Sequence, residues 1–233
     1  MIIPIISFYL QLSIARVGSS VNFQVMDPIY RYMAQYYDDH TALGWTLMIA
    51  GTTCIGSFLC AVILGIMDKR AERILNKATS ETGEVVNLRD IASFPLSFWL
   101  LSIVCLAYYV AIFPFISLGQ VFFQKKFEFS AAQANFINGL IYLISAPASP
   151  VLGILIDKTG RNLTYTTLSI AVTLICHIIL AFTFWNPYVA IITMGISYSL
   201  LASALWPIAA LIIPEHQLGT AYGMLKSTRF IFS

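Results

Sequence analysis

Charge is scarce in this chain. Only 10% of its 233 residues are Asp, Glu, Lys or Arg, while 58% are hydrophobic; a soluble domain carries about 25% charged residues. That shortage excludes an ordinary water-soluble domain and makes lipid the solvent. The formal net charge of +2 reflects membrane topology rather than a nucleic-acid partner, since no basic run is interleaved with aromatics. Cysteine is limited to Cys54, Cys60, Cys105 and Cys176, all inside apolar runs. The first two lack metal-site spacing and have no histidine near them, so neither a metal nor a disulfide is predicted. Also missing are a His-Glu zinc pattern, a mid-span Gly-Asp pair and a serine with a neighbouring base. The chain is therefore read as a non-enzyme without a cofactor. Strict apolar–polar alternation is absent from runs such as Thr164–Phe184, which excludes the strands of an outer-membrane barrel. Met1–Leu10 has no basic leader and is not read as a signal peptide.

What the chain does contain is a series of long apolar runs. A bilayer core needs about 20 apolar residues per helix. Five runs meet this plainly: Leu43–Met67, Pro95–Phe122, Ala131–Ile156, Leu163–Phe184 and Tyr188–Ile213. Two are compromised. Ile2–Met33 is long but polar in its second half, and Gln217–Ser233 is too short to cross. The fold class is thus all-α and polytopic. Basic residues in the links set the orientation. Lys69, Arg70, Arg73, Lys77 and Arg89, then Lys158 and Arg161, lie in one set of links; Arg31, Lys125 and Lys126 lie in the alternate set. The bias places Asp68–Phe94 and Asp157–Asn162 in the cytosol, and the links near Asp38, Lys125 and Trp185 outside or in a lumen. The Asn162-Leu163-Thr164 glycosylation pattern then falls on the cytosolic side and is rejected. The charged stretch Asp68–Lys77 reads as a linker between bundles, and also as a short helix reaching anionic lipid heads.

Polar residues inside the runs are the functional candidates. Arg16 is the sharpest. A guanidinium at the bilayer centre costs at least about 2.5–3.5 kcal/mol and cannot shed its proton. It needs a wet cavity, an acid, an anionic solute or backbone carbonyls. Ser13, Arg16, Ser20, Gln24 and Asp27 recur at helical spacing, so they form one polar stripe flanked by Gln11 and Asn22. Further stripes are Tyr108 and Tyr109; Asn138, Tyr142 and Ser145; and Tyr198, Ser199, Ser203 and Trp206. One cavity shared by several helices accounts for all of them together. The substrate-binding candidates are accordingly Arg16, Gln11, Ser20, Tyr108, Tyr109, Asn138, Tyr142, Tyr198 and Trp206. A guanidinium fork suits a carboxylate. Pro147 and Pro150 predict a break near 146–150, either a gating bend or a static kink. The complete spans from Leu43 to Ile213 hold no Asp or Glu well inside them, so facilitated transport is expected rather than tight proton coupling.

Gly153, Asp157, Lys158, Gly160 and Arg161 resemble the cytosolic loop motif of the major facilitator superfamily; Asn162 departs from its usual second basic residue. Together with Pro147 and Pro150, these are the gating candidates. The stretches Gln11–Ser19, Asp68–Leu75 and Pro214–Gly223 resemble the lysosomal dipeptide-transporter branch of that superfamily. The resemblance implies two helical halves and a partial fold here, from about the fifth to the tenth span plus the start of the eleventh. It implies residues 1–67 as the end of the N-terminal half, 68–94 as a cytosolic linker, and 95–233 as a truncated C-terminal half. It further implies dipeptide export from lysosome to cytosol by uniport, a lysosomal membrane location, and an accessory subunit, glycosylated lysosomal membrane protein. That partner is expected on a lumenal surface including Asp38, Asp39, His40, Lys125 and Lys126. The chain is read as a fragment that does not transport alone; the alternative is a non-transporting membrane scaffold or subunit.

Overall fold

The computed structural model describes residues 2–74, 91, 93–214 and 217–231. Every regular element of these described residues is helical: α1 (Ile2–Met33), α2 (Asp39–Ile74), α3 (Leu96–Phe127), α4 (Ala131–Thr159), α5 (Asn162–Phe182), α6 (Pro187–Ile212) and α7 (Leu218–Ile231). Helices α2 to α6 are each long and apolar enough to cross a bilayer. They coincide with the five plain runs of the sequence, and the chain is a multi-pass membrane protein. Most of the expected linker, residues 75–90 and 92, lies outside the described residues.

The chain divides into two compact units, residues 1–23 with 85–233, and residues 24–84. In the smaller unit, α2 runs on past Met67 to Ile74, because Asp68–Arg73 are mostly good helix formers. Asp27 and Arg31 on the end of α1 form an i,i+4 ion pair at 2.9 Å, a surface contact of small energetic weight.

In the larger unit, α6 is the central helix. It packs mainly on α4 and α5, while α3 packs on α4, α6 and α7. Small residues set the closest crossings, as bilayer packing requires. A Cβ on Gly195 of α6 would sit 3.0 Å from the Ile141 carbonyl oxygen of α4. On α3, a Cβ at Gly119 would collide with the Asn138 side chain. Helix ends follow local chemistry. Ser130 and Gln133 form a capping box at the start of α4, and Gly160 closes that helix at φ 66° with its N–H on the Ile156 carbonyl. Asn186 and Pro187 open α6.

Pro147 and Pro150 lie inside α4, whose helical run is uninterrupted from Ala131 to Thr159. One of the groups freed by these prolines is served from α1. Pro150 has no N–H for the Ala146 carbonyl one turn back, and the Ser13 hydroxyl of α1 donates to that carbonyl instead. A neighbour thus satisfies the freed group inside the bundle.

Candidate functional site

Arg16 reaches α4 from α1. Its Nη1 donates to the Ser145 carbonyl at 3.1 Å and to the Ser149 hydroxyl. Its guanidinium carbon lies 4.8 Å from the centre of the Tyr198 ring on α6, within cation–π range. Arg16 is 5% exposed. Carbonyl, hydroxyl and ring thus surround the Arg16 guanidinium. The side chain uses backbone carbonyl chemistry and also borders open space.

That space is a pocket of about 300 Å³. α1 contributes Ala15, Arg16 and Ser19; α3 contributes Tyr109 and Phe113; α4 contributes Tyr142; α6 contributes Tyr198, Ala202 and Trp206. The walls are aromatic, with Tyr109 stacked on Phe113 and Tyr142 edge-on to Tyr198 at 6.0 Å. Phe23 stacks on Tyr142 from α1. One fixed positive charge over aromatic walls suits a small molecule with an anionic end and an apolar body. A second cleft of about 320 Å³, between α5 and α6, is lined almost wholly by apolar residues such as Val172, Ile179, Trp185 and Val189, and offers no charge.

The structure brings together five of the nine substrate-binding candidates: Arg16, Tyr109, Tyr142, Tyr198 and Trp206. The other four face elsewhere. Tyr108 turns to α5, its hydroxyl 3.3 Å from Thr173 Oγ1, because adjacent residues on a helix point about 100° apart. Asn138 donates to the Ile116 carbonyl of α3 at 2.7 Å and serves the helix crossing. Ser20 is buried, and its hydroxyl has no hydrogen-bond partner among the described residues. Gln11 is exposed. Of the gating candidates, Gly153 is buried in α4, Asp157, Lys158 and Arg161 are exposed, and Gly160 is the left-handed cap between α4 and α5. Pro147 is exposed and Pro150 half-buried.

Sequence reasoning missed Ser149. It lies seven residues beyond Tyr142 and four beyond Ser145, on the same face of the helix; that spacing was the available signal. Phe113, one turn from Tyr109, carried the same signal.

The profile of the Major Facilitator Superfamily matches residues 12–233. The chain belongs to the major facilitator superfamily. The Lysosomal dipeptide transporter MFSD1 of Danio rerio is 57% identical over 222 residues, which cover 94% of this chain and 48% of the relative. Its counterpart in Homo sapiens is 54% identical, with the same coverage. That of Gallus gallus is 52% identical over 94% of this chain and 50% of the relative. The chain thus spans about half the length of the curated relatives it matches. For a major facilitator superfamily chain, a cavity bordered by several spanning helices and holding one buried guanidinium is a natural place for solute.

Proposed function

We propose that this chain is the middle and later part of a lysosomal membrane transporter that passes dipeptides to the cytosol by facilitated uniport. The observation that carries this reading is Arg16, buried in the membrane-spanning bundle at the edge of an aromatic pocket. A dipeptide has a carboxylate that matches the guanidinium fork. Its side chains and amide suit walls built from Tyr109, Tyr142, Tyr198 and Trp206. Nη1 of Arg16 is used by α4, yet a guanidinium has five N–H donors, and its Nε–Nη2 edge takes the carboxylate. The named activity of the relatives supports the substrate class.

Residues 1–67 and 95–233 then belong to the two rocking halves, joined by the cytosolic linker 68–94. Gly153–Arg161 forms the cytosolic gate turn. No acid lines the pocket among the described residues, so substrate flux runs down its own gradient without a proton relay through this segment. Glycosylated lysosomal membrane protein is the proposed lumenal partner. On its candidate surface Lys125 is exposed, and Lys126 is half-buried with its Nζ donating to the carbonyls of Leu180 and Ala181 on α5.

The test is labelled dipeptide uptake into liposomes holding the intact transporter that contains this segment. Saturable uptake that persists when the proton gradient is collapsed supports the proposal. Absence of dipeptide uptake from correctly folded protein favours the scaffold alternative, and uptake abolished by collapsing the gradient removes uniport.

A further inference from the structure

Arg16 alone does not fix where its fork points; an arginine side chain has several rotatable bonds and loses much entropy when held. The bundle supplies two constraints. The guanidinium carbon lies over the Tyr198 ring. Ser149, fully buried on α4, takes one Nη1 hydrogen, and the Ser145 carbonyl takes the other.

The proton bookkeeping around Ser149 is constrained. Arg is donor-only, a carbonyl is acceptor-only, and a hydroxyl has one proton and two lone pairs. Ser149 Oγ lies 2.8 Å from the Ser145 carbonyl and 2.8 Å from Ser199 Oγ of α6. One arrangement serves every group. Ser199 donates to Ser149, Ser149 donates to the Ser145 carbonyl, and Arg16 donates to Ser149 and to that same carbonyl. The Ser149 oxygen then gives one hydrogen bond and accepts two, with nothing left over. It is a node joining α1, α4 and α6, next in sequence to the proline whose freed carbonyl holds Ser13. With both Nη1 hydrogens engaged on α4, the Nε–Nη2 edge is the pair of parallel donors that remains for a carboxylate.

We propose that Ser149 is a positioning residue: it orients the Arg16 fork and thereby sets the transporter's preference for substrates with a free C-terminal carboxylate. The proposal rests on the reading of Arg16 as the carboxylate site. Ser149 touches no substrate; it acts through Arg16.

The experiment compares uptake of a dipeptide with uptake of its C-terminal amide, by the intact transporter in liposomes. The wild type should favour the acid strongly. Ser149→Ala should lower the acid-to-amide ratio of kcat/KM about tenfold, the weight of one hydrogen bond to a charged group, while amide uptake stays near the wild-type level. Ser149→Thr keeps the hydroxyl and should keep the ratio. If Ser149→Ala fails to fold, Ser149→Cys fills a similar space with a weak acceptor and should show the same fall. A ratio left at the wild-type value by Ser149→Ala or Ser149→Cys overturns the proposal, as does an equal loss of acid and amide uptake, which marks a merely structural serine. A wild type that does not distinguish acid from amide overturns the Arg16 reading itself, and so is distinct from a failure at Ser149.

Discussion

The cost of burying a guanidinium in the bundle is met by three kinds of weak partner rather than by one acid. These partners are uncharged, so the site keeps a net positive charge, whereas an arginine paired with a carboxylate would be neutral as a pair. A solute anion entering the pocket therefore meets an uncompensated charge in a medium where that charge acts at long range. Ser13 and Pro150 are the other instructive pair. The serine bonds a carbonyl that exists as a free acceptor only because of the proline. Ser13→Ala should destabilise the folded protein by about 0.5–1 kcal/mol, the usual range for a bond between membrane helices. With Pro150→Ala in place, the Ala146 carbonyl regains a helical donor, and the same Ser13→Ala change should cost much less. A double-mutant cycle read by thermal unfolding in detergent checks this. Equal costs in both backgrounds would mean that the proline does not create the acceptor.

At the scale of elements, crossings and end-caps hold the larger unit together. Gly119 faces Asn138, which is tied to the Ile116 carbonyl and cannot swing away without losing that bond. Gly119→Ala should therefore cost roughly 1–3 kcal/mol, seen as a lowered Tm. Gly119→Ala with Asn138→Ala should recover part of it, since the obstacle is the amide. Lys126 plays a different part. Its ammonium sits on the last carbonyls of α5 and within 5.0 Å of the Phe184 ring centre, a favoured position at a helix C-terminus. Lys126→Met should loosen the end of α5 and raise amide exchange there, leaving α4 unchanged; equal exchange in both proteins would remove the capping role. Most helix ends were legible in the sequence to within about five residues, since apolar runs and turn residues such as Gly160 and Asn186 mark them; α2 is the exception, running on to Ile74 through charged helix formers. What the sequence could not show was the group that serves the carbonyl left free by Pro150. That donor, Ser13, lies on α1, more than a hundred residues away in sequence. The contact of Lys126 with the end of α5 was likewise not legible, because it joins the ends of two helices far apart in sequence.

For the molecule as a whole, the pocket is assembled from α1, α3, α4 and α6, so residues far apart in sequence converge on it. Arg16, Tyr109, Tyr142, Tyr198 and Trp206 were legible because polar and aromatic groups stand out in apolar runs. Ser149 was passed over, because its only signal was its spacing from Tyr142 and Ser145, which stands out once Arg16 lies against it. The relatives are about twice the length of this chain, and alternating access needs two bundles moving about a shared site. Liposomes holding only these 233 residues should accordingly show no saturable dipeptide flux, whereas intact transporter should; robust flux from the 233-residue chain would contradict the two-bundle account. The most direct test of the central claim is the substitution Arg16→Lys in the intact transporter, with dipeptide uptake and membrane expression measured together. An ammonium keeps the charge but not the paired donors. The account predicts a loss of kcat/KM of roughly 100-fold, about 2.7 kcal/mol, at unchanged expression. Wild-type uptake by Arg16→Lys, or by Arg16→Ala, at normal expression would contradict it.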